Sequence, residues 1–449
     1  MRRALSGLTR RGTMFVAAGG IAAVAAIGVG QRDLLRVGIL LLALPLVSLL
    51  VALRSRVRLA ASRVVEPPRT PVHSPATVRL TLQNMARIPT GVLLVEDTLP
   101  YALGTRPRFV LDHVWSRFRR EVSYDVRSEL RGRYTLGPLT VRLTDPFGLV
   151  ELRRAFSETA TLTVTPTVVR LPSVRLIGEW SGSGESRPRS VSSAGEEDAT
   201  IRAYRHGDDM RRVHWRATAH HRELMVRREE QPWQSRATLL LDTRTAGHAG
   251  HPPDSSLEWA VVATASIGVH LADRGYAVRL LTDEGGAVSA SWHDPGGGPA
   301  GAEVPLLDAL AVVKSSREAS VGRWPDLLRG AGAATGLLVG VLGRLHPREA
   351  ALVAKLRHAS TAAMAILLDA ASWTSVSPSM AEAERQRIAE AAAVLRRAGW
   401  GVVMASRGDA LPGVWERLGV NRTAYRLAEA AADAKDSADT TAGTLGGVA

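Results

Sequence analysis

The chain contains no cysteine. This absence excludes a disulfide framework, a thiol nucleophile, and zinc sites or iron–sulfur clusters built on Cys. Aromatic residues are also scarce, at 5%, although ten of them are Trp. No G-x-G-x-x-G or Walker motif follows any predicted strand, so we expect no nucleotide site and no cofactor.

In other respects the composition is that of an ordinary globular protein. The 449 residues correspond to about three domains at roughly 150 residues each. Apolar residues make up 45% and charged residues 22%, which excludes a wholly disordered, collagen-like or coiled-coil protein. The net charge of +14 comes almost entirely from Arg. A GC-rich coding sequence explains this excess as well as nucleic-acid binding does.

Two early stretches have almost no charge. Residues 14–30 carry no charged side chain, and residues 34–53 are interrupted only by Arg36, Pro45 and Ser48. A membrane-spanning helix needs about 20 residues. The short turn between the stretches allows only an antiparallel pair. We therefore predict a transmembrane helical hairpin over 14–53, with the lipid bilayer as a partner.

Arginine placement predicts the orientation of this hairpin. Basic residues precede the first helix and follow the second, at Arg2, Arg3, Arg10, Arg11, Arg54, Arg56, Arg58 and Arg63. The positive-inside rule then places both termini in the cytoplasm, with 1–13 as a basic cytoplasmic N-terminus of a multi-pass plasma-membrane protein. A cleaved signal peptide is the alternative, and it leaves the second apolar stretch unexplained.

The next region, 56–172, alternates apolar and polar residues with period two. Thr77 to Leu82 shows the pattern of a half-buried strand. Turn residues separate the predicted strands at intervals of roughly 8–15 residues. One such turn is Asp145-Pro146-Phe147-Gly148, in which we expect Phe147 to act as an apolar plug. We predict an antiparallel β-sandwich-like domain, with further strands at 91–96, 119–126, 139–143 and 161–165.

From residue 236 to 425, strand and helix patterns alternate. Such alternation predicts an α/β domain with a parallel, doubly wound sheet. The predicted strands are 238–241, 277–281, 337–342, 363–368 and 401–405, and the predicted helices are 256–274, 304–313, 347–358 and 380–397. Residues 173–235 form a flexible linker followed by a charged motif, and 426–449 form a disordered tail.

Polar side chains follow several of these strands. Asp242, Thr282 and Asp369 would meet at the carboxyl edge of a parallel sheet, where ligands of open α/β sheets bind. Their oxygen atoms suit Mg²⁺. The competing interpretation, which we favour, is that the two carboxylates cap the helices that follow.

The most unusual stretch, 201–230, is too charged for a core and too aromatic for an ordinary surface. If 213–219 is a helical turn or more, Asp208 or Asp209 lies near its N-terminus, which is a favourable place for negative charge. The Arg residues of the stretch alternate with carboxylates, which weakens the field that phosphate binding needs, so we expect no nucleic-acid partner. The residues that we single out are Arg202, Tyr204, Gly207, Asp208, Asp209, Arg211, His214, Trp215, Thr218 and Arg227.

Three roles compete for this motif. In the first, the motif is a cluster of ion pairs and Trp that holds a loop in place. In the second, it is a docking surface for a partner protein, since Trp, Tyr and Arg dominate interface hot spots. In the third, His214 works with Asp208 or Asp209 as the acid and base of a hydrolytic enzyme, or these residues bind a metal for hydrolysis. No nucleophile stands at a diagnostic spacing.

In these residues the chain resembles the domain of unknown function 58 family. The resemblance extends to the hairpin and to the segments Arg131-Gly132-x-Tyr134-x-x-Gly137-Pro138 and Asp145-Pro146-Phe147-Gly148-Leu149. The sequence departs from the family at His220, where Arg is usual. The biochemical activity of that family is not established.

The resemblance implies a C-terminal domain similar to a von Willebrand factor A domain. It also implies two partners, a MoxR-type AAA ATPase and a transglutaminase-like membrane protein. The A-domain metal motif would be Asp-x-Ser-x-Ser after the first strand, where this chain has Asp242-Thr243-Arg244-Thr245-Ala246. Arg244 would place a cation where the metal belongs, so we expect a degenerate site at Asp242 with no metal. We expect a membrane-anchored scaffold or adaptor rather than an enzyme.

Overall fold

The chain folds into two compact units, which we describe separately. The first unit comprises Met1–Val169, Ala249–Ser266 and Glu303–Ser315, and the second comprises Arg170–His248, Ile267–Ala302 and Ser316–Ala449. The computed structural model describes residues 7–54, 59–84, 93–111, 119–145, 147–174, 200–203, 215–221, 223–228, 236–282, 287–288, 303–317, 320–330, 336–357 and 362–420.

The first unit begins with two apolar helices, α1 (Arg10–Val29) and α2 (Arg32–Arg54). By length and composition both are long and apolar enough to cross a membrane. Gly30 ends α1 in the left-handed conformation, with φ of 74°, and its N–H donates to the Ala26 carbonyl. The predicted pair of apolar helices is therefore present, joined by a connection one residue shorter than expected.

Small residues let these two helices approach closely. A Cβ at Gly19 would lie 2.8 Å from Leu42 Cγ, and one at Gly38 would lie 2.9 Å from the Ala23 nitrogen. Substitution at either glycine would force the backbones apart. Close packing through small residues is typical of helix pairs in membranes.

Ten strands form three sheets in the β region of the first unit. The sheets have the orders β1-β3-β6, β2-β10-β7 and β5-β4-β8-β9. The strands are β1 (Leu59–Glu66), β2 (Arg69–Pro71), β3 (Ala76–Asn84), β4 (Leu93–Asp97), β5 (Arg108–Leu111), β6 (Arg119–Val126), β7 (Gly132–Leu136), β8 (Leu139–Thr144), β9 (Glu151–Phe156) and β10 (Ala160–Thr165).

One hydrophobic core joins the three sheets, with contributions that include Val78, Leu93 and Leu162. In β3 the apolar residues at every second position from Ala76 to Leu82 are buried, as the period-two pattern predicts. The five predicted strands are present. Sequence reasoning missed β1, β2, β5, β7 and β9, because these strands are short or carry many Arg, Ser, Thr and Glu residues that obscure the apolar alternation.

The first unit also contains three elements from later in the chain. These are the short ladder of β14 (Gly250–His251) and β15 (Asp254–Ser255), the first part of α4 (Ser256–Ala272), and α5 (Val304–Val312). Arg131 of the β region contacts two of them. Its guanidinium is 5% exposed, ion-pairs with Glu258 of α4, and donates to the Leu310 and Val313 carbonyls at 3.0 and 2.7 Å. It thereby satisfies carbonyls at the end of α5.

The second unit is built on a six-stranded sheet of order β17-β16-β13-β18-β19-β20. All neighbouring pairs are parallel except β16 with β17. The strands are β13 (Arg236–Leu241), β16 (Ala277–Thr282), β17 (Ala287–Val288), β18 (Leu337–Leu342), β19 (Ala362–Leu368) and β20 (Gly401–Ala405). Its helices include α6 (Trp324–Gly330), α7 (Pro347–Ala354), α8 (Pro378–Arg397) and a helix over 411–420.

The central strands of this sheet are almost wholly buried. All residues of β18 and β19 are buried, which explains why these segments are continuous apolar runs rather than alternating ones. Trp324, Trp400 and Trp415 are among the largest buried side chains. The predicted strands match the observed ones to within two residues. The predicted linker over 178–199 and the tail beyond 426 lie outside the described residues.

Candidate functional site

The strand order of the six-stranded sheet locates the candidate site. The chain proceeds from β13 to β16 on one side and from β18 to β20 on the other, so the order reverses between β13 and β18. Asp242 directly follows β13, and Gly343 directly follows β18. Ligands of open α/β sheets bind at the carboxyl ends of the strands at such a point.

Asp242 is completely buried, and its carboxylate accepts four hydrogen bonds. Oδ1 accepts the backbone N–H of Arg244 and its Nε–H, each at 3.0 Å. Oδ2 accepts Nη2 of Arg244 at 2.9 Å and the backbone N–H of Gly343 at 3.1 Å. An ionised carboxylate has about four lone-pair positions. All of them are used here.

Arg244 occupies the space in front of this carboxylate. Arg244 makes further hydrogen bonds in addition to its bidentate contact with Asp242. Its Nη1 donates to Glu349 Oε1 at 2.6 Å, and its Nη2 donates to the Arg344 carbonyl at 3.0 Å. The second oxygen of Glu349 accepts the His346 N–H at 2.9 Å and completes a capping box at the start of α7. The planar guanidinium suits such a fork-shaped arrangement, and a lysine in its place would not.

Two glycines allow the backbone to close around the pair. A Cβ at Gly247 would lie 2.9 Å from Asp242 Oδ2, and a Cβ at Gly343 would collide with the Gly247 carbonyl. The loop after β13 is further held by Ser316, whose N–H donates to the Thr243 carbonyl at 2.8 Å. The site is therefore rigidly built around an internal ion pair.

Burial and the neighbouring charges shift the pKa values of Asp242 and His248. Burial alone would raise the pKa of Asp242, but the hydrogen bonds and charge of Arg244, with a smaller contribution from His248, hold it below its ordinary value. Burial lowers the pKa of His248, against the opposing charge of Asp242. His248 Nε2 lies 2.7 Å from the Asp242 carbonyl, to which a neutral ring with a proton on Nε2 would donate.

These residues do not fit a divalent metal. The guanidinium of Arg244 lies against both oxygens of Asp242. A metal would have to displace Arg244 and leave that cation buried without its partner. Within the described part of the chain, no group of three His, Cys, Asp or Glu side chains is placed to hold a metal.

The expectation that Asp242 and Asp369 cap helices is wrong for Asp242, whose carboxylate binds Arg244 instead. Asp369 begins a 3-10 helix over Ala370–Trp373 without a side-chain capping bond. It is buried, and its Oδ1 has no hydrogen-bond partner among the described residues. Burial raises the pKa of this carboxyl group.

A small module before β13 contains part of the charged motif. β11 (Thr200–Ala203) pairs antiparallel with β12 (Met225–Arg228), which places Arg202 opposite Val226 and Ile201 opposite Arg227. The motif residues outside the described part of the chain are Tyr204, Gly207, Asp208, Asp209, Arg211 and His214.

The helix of this module, α3 (Trp215–His221), contains the other two motif residues. Thr218 Oγ1 accepts the Met225 N–H at 3.0 Å and so ties α3 to β12. Trp215 is 69% exposed, although its large apolar ring favours burial. The expected helical turn is present over Trp215–His221, and Val213 and His214 lie outside the described residues.

Sequence reasoning missed a buried ion pair in the first unit. Arg63 of β1 and Asp97 of β4 are 3% and 0% exposed, and their side chains meet at 2.5 Å. Arg63 also donates to the Leu136 carbonyl at 2.8 Å, and the Tyr124 hydroxyl donates to Asp97 at 2.5 Å. The sequence pattern places Arg63 in the basic flank of the hairpin, and nothing in its neighbouring residues indicates that it is buried.

Comparison with solved structures returns weak similarities. A CARDB domain from Pyrococcus furiosus is 14% identical and matches 25% of this chain and 96% of its own, with a TM-score of 0.19. The complex of Zinc 2-glycoprotein and Prolactin inducible protein from human seminal plasma is 10% identical, over 24% of this chain and 97% of that one, also with a TM-score of 0.19. Similarity at this level supports no inference about the fold.

The sequence comparisons are more specific. No curated protein matches the chain. Residues 200–290, which contain the module with α3 as well as Asp242 and Arg244, match the family model described as protein of unknown function DUF58.

Proposed function

We propose that this protein is a membrane-anchored adaptor without enzymatic activity, and that its second unit is a metal-independent binding module similar to a von Willebrand factor A domain. The observation that carries the proposal is the saturated Asp242 carboxylate. At the position where an A domain would begin its metal motif, an arginine of the chain itself provides the positive charge. The module therefore has a built-in cation.

The sheet supports the resemblance to an A domain. Counted along the chain from β13, the strand order is 3-2-1-4-5-6, which is a doubly wound order. Asp242 directly follows the first of these strands. For the first unit we propose a β-sandwich-like arrangement, supported by the single core that its three sheets share.

The apolar helices support a membrane anchor. We propose that α1 and α2 cross the plasma membrane as a hairpin with both termini in the cytoplasm, because Arg residues flank the two outer ends. Reporter fusions after Ala60 and at the C-terminus should both report a cytoplasmic location. A signal from the opposite side of the membrane at either position would contradict this topology.

The proposed partner is a MoxR-type AAA ATPase, with a transglutaminase-like membrane protein as a second candidate. Both follow from the family resemblance. Trp215 supports a docking role for the motif, since an exposed Trp on a helix tied to a sheet by Thr218 is a suitable interface anchor. In this proposal Asp208, Asp209 and Arg211 contribute to the same surface.

Replacing the exposed Trp should weaken partner binding without affecting the fold. Trp215→Ala should reduce affinity for the ATPase by roughly 30-fold, since a hot-spot Trp contributes about 2 kcal/mol or more. Quantitative co-purification of the full chain from native membranes measures this effect. The matched control is Met380→Ala, which removes an apolar side chain that is 63% exposed on α8 and should leave binding unchanged. Equal effects of the two substitutions would refute the docking role.

The rival function is a hydrolytic enzyme that uses His214 with Asp208 or Asp209. An adaptor is active only within its complex, whereas a hydrolase turns over substrate alone. Incubation of the purified full chain with ester, peptide and phosphoester substrates separates the two. Turnover that is lost in His214→Ala and retained in Trp215→Ala would favour the enzyme.

A further inference from the structure

The turn between β8 and β9 presents an exposed aromatic ring. The Val150 N–H donates to Asp145 Oδ1 at 2.8 Å, and the Gly148 N–H donates to the Asp145 carbonyl at 3.0 Å. Gly148 has a φ of 69°, a conformation that favours glycine. Phe147 in the middle of the turn is 61% exposed. The expectation that this residue is an apolar plug is therefore wrong.

Hydrogen bonds attach this turn to the first turn of α1. The Thr9 N–H donates to the Leu149 carbonyl at 2.9 Å, and the Thr9 hydroxyl donates to the Gly148 carbonyl at 2.6 Å. Thr9 is also the N-cap of α1, where its oxygen accepts the Gly12 N–H at 3.1 Å. A Cβ at Gly12 would collide with the Leu149 carbonyl, so the contact depends on glycine there.

This attachment places Phe147 beside the first turn of α1, at the N-terminal end of that helix. Phe147 lies two residues before Leu149, which bonds the N-cap of that helix. If α1 crosses the bilayer, its first turn lies among the lipid head groups. Arg10 and Arg11 are exposed in the same turn of α1, and Nη1 of Arg11 lies 3.8 Å from the position of a Cβ on Gly148. Aromatic and basic side chains together are typical of the cytoplasmic membrane interface.

We infer that Phe147, Arg10 and Arg11 form a lipid-contacting surface that positions the first unit on the cytoplasmic leaflet, with Phe147 among the head groups and the two arginines beside anionic lipids. The inference rests on the proposed transmembrane hairpin. It adds Phe147, which lies outside the two helices, to the residues that contact the bilayer.

The absence of cysteine makes this inference directly testable, because a single introduced Cys is a unique labelling site. Phe147→Cys in the full chain is labelled with an environment-sensitive fluorophore and reconstituted into phosphatidylcholine–phosphatidylglycerol vesicles that contain a lipid with a quencher near its head group. We expect a blue shift and loss of most of the fluorescence. Because Phe147 is exposed, its replacement should not unfold the protein.

Two control positions complete the experiment. Tyr101 is 98% exposed and follows β4. The last residue of β4 pairs with Leu139, which begins β8 and therefore lies about 17 Å from the turn at the other end of that strand. A label on Tyr101→Cys should remain unquenched. Val24 is 73% exposed near the middle of α1, and a label on Val24→Cys should be quenched by a lipid with a deep quencher.

The outcomes separate this inference from the proposed hairpin. A quenched label at Val24 with an unquenched one at Phe147 overturns the lipid contact and leaves the hairpin standing. An unquenched label at Val24 overturns both. Equal quenching at Phe147 and Tyr101 also overturns the specific contact. Replacing Arg10 and Arg11 with Gln should remove the dependence of quenching at Phe147 on phosphatidylglycerol, and an unchanged dependence would refute the role of the two arginines.

Discussion

Arg244→Met should destabilise the protein strongly, by about 3–5 kcal/mol in the free energy of unfolding, because it leaves the buried Asp242 carboxylate without its partner. Chemical denaturation of the full chain in detergent, followed through the Trp signal of the second unit, measures the change. Asp242→Asn should cost less, since Glu349 still pairs with Arg244. The double substitution should be less damaging than the sum of the two single ones.

Mg²⁺ should stabilise the folded state of a different variant at the same position, Arg244→Ser. Arg244→Ser restores the first serine of the A-domain motif and vacates the space beside Asp242. This variant should gain stability with Mg²⁺, by about 2.7 kcal/mol at a hundredfold excess over Kd, whereas the wild-type chain and Arg244→Met should not respond. A Mg²⁺-dependent rise in the wild-type melting temperature, abolished by Asp242→Ala, would show that a metal displaces the arginine.

Acid should destabilise the wild-type chain, because it weakens the ion pair between Asp242 and Arg244. The pKa of Asp242 is lowered in the folded state, so its unfolded form takes up a proton at higher pH. The stabilisation from the ion pair is therefore complete above the ordinary pKa of Asp and is lost as the pH falls through the folded-state value. Arg244→Met should show a weaker loss of stability with acid than the wild type does.

The second large effect is expected at the buried ion pair of the first unit. Arg63→Met should destabilise the protein by about 3–5 kcal/mol, since Asp97 is completely buried and would lose its cation. Tyr124→Phe should cost about 1.5–3 kcal/mol, the usual contribution of a hydrogen bond to a charged group. Arg63→Met should cost more than Tyr124→Phe, because Arg63 makes more hydrogen bonds within the network than Tyr124 does.

An exposed arginine in the same sheet provides the matched control. Arg79 of β3 pairs with Glu66 and Glu121 at 3.1 and 3.0 Å, but it is 44% exposed. Arg79→Met should cost about 0–1 kcal/mol, because water screens exposed pairs. Equal losses for Arg63→Met and Arg79→Met in denaturant titrations would mean that burial of the first pair does not determine its contribution.

Gly137 belongs to the same network. It has a φ of 102°, and a Cβ there would collide with the Arg63 guanidinium. The segment Arg131-Gly132-x-Tyr134-x-x-Gly137-Pro138 therefore combines two structural roles. Arg131 satisfies carbonyls at the end of α5, and Gly137 leaves room for Arg63.

Local sequence patterns were enough to locate many of the helices and strands of this protein. Apolar runs and period-two alternation located β6, β18 and β20 to the residue, because burial on one or both faces of a strand leaves a direct trace in neighbouring positions. The length of the two apolar stretches likewise predicted α1 and α2. The substitution of Arg244 into the expected metal motif was also visible in the sequence.

The tertiary structure decided how distant residues meet. Asp242 and Arg244 are neighbours in the chain, but Gly343 and Glu349, which complete the site, come about a hundred residues later. Arg63 and Asp97 are 34 residues apart, and residues 249–266 and 303–315 join the first unit although they follow the strand β13 of the second. Such contacts depend on strand order and chain closure rather than on local periodicity. A buried arginine and an exposed one therefore look alike in the sequence, and only the fold distinguishes them.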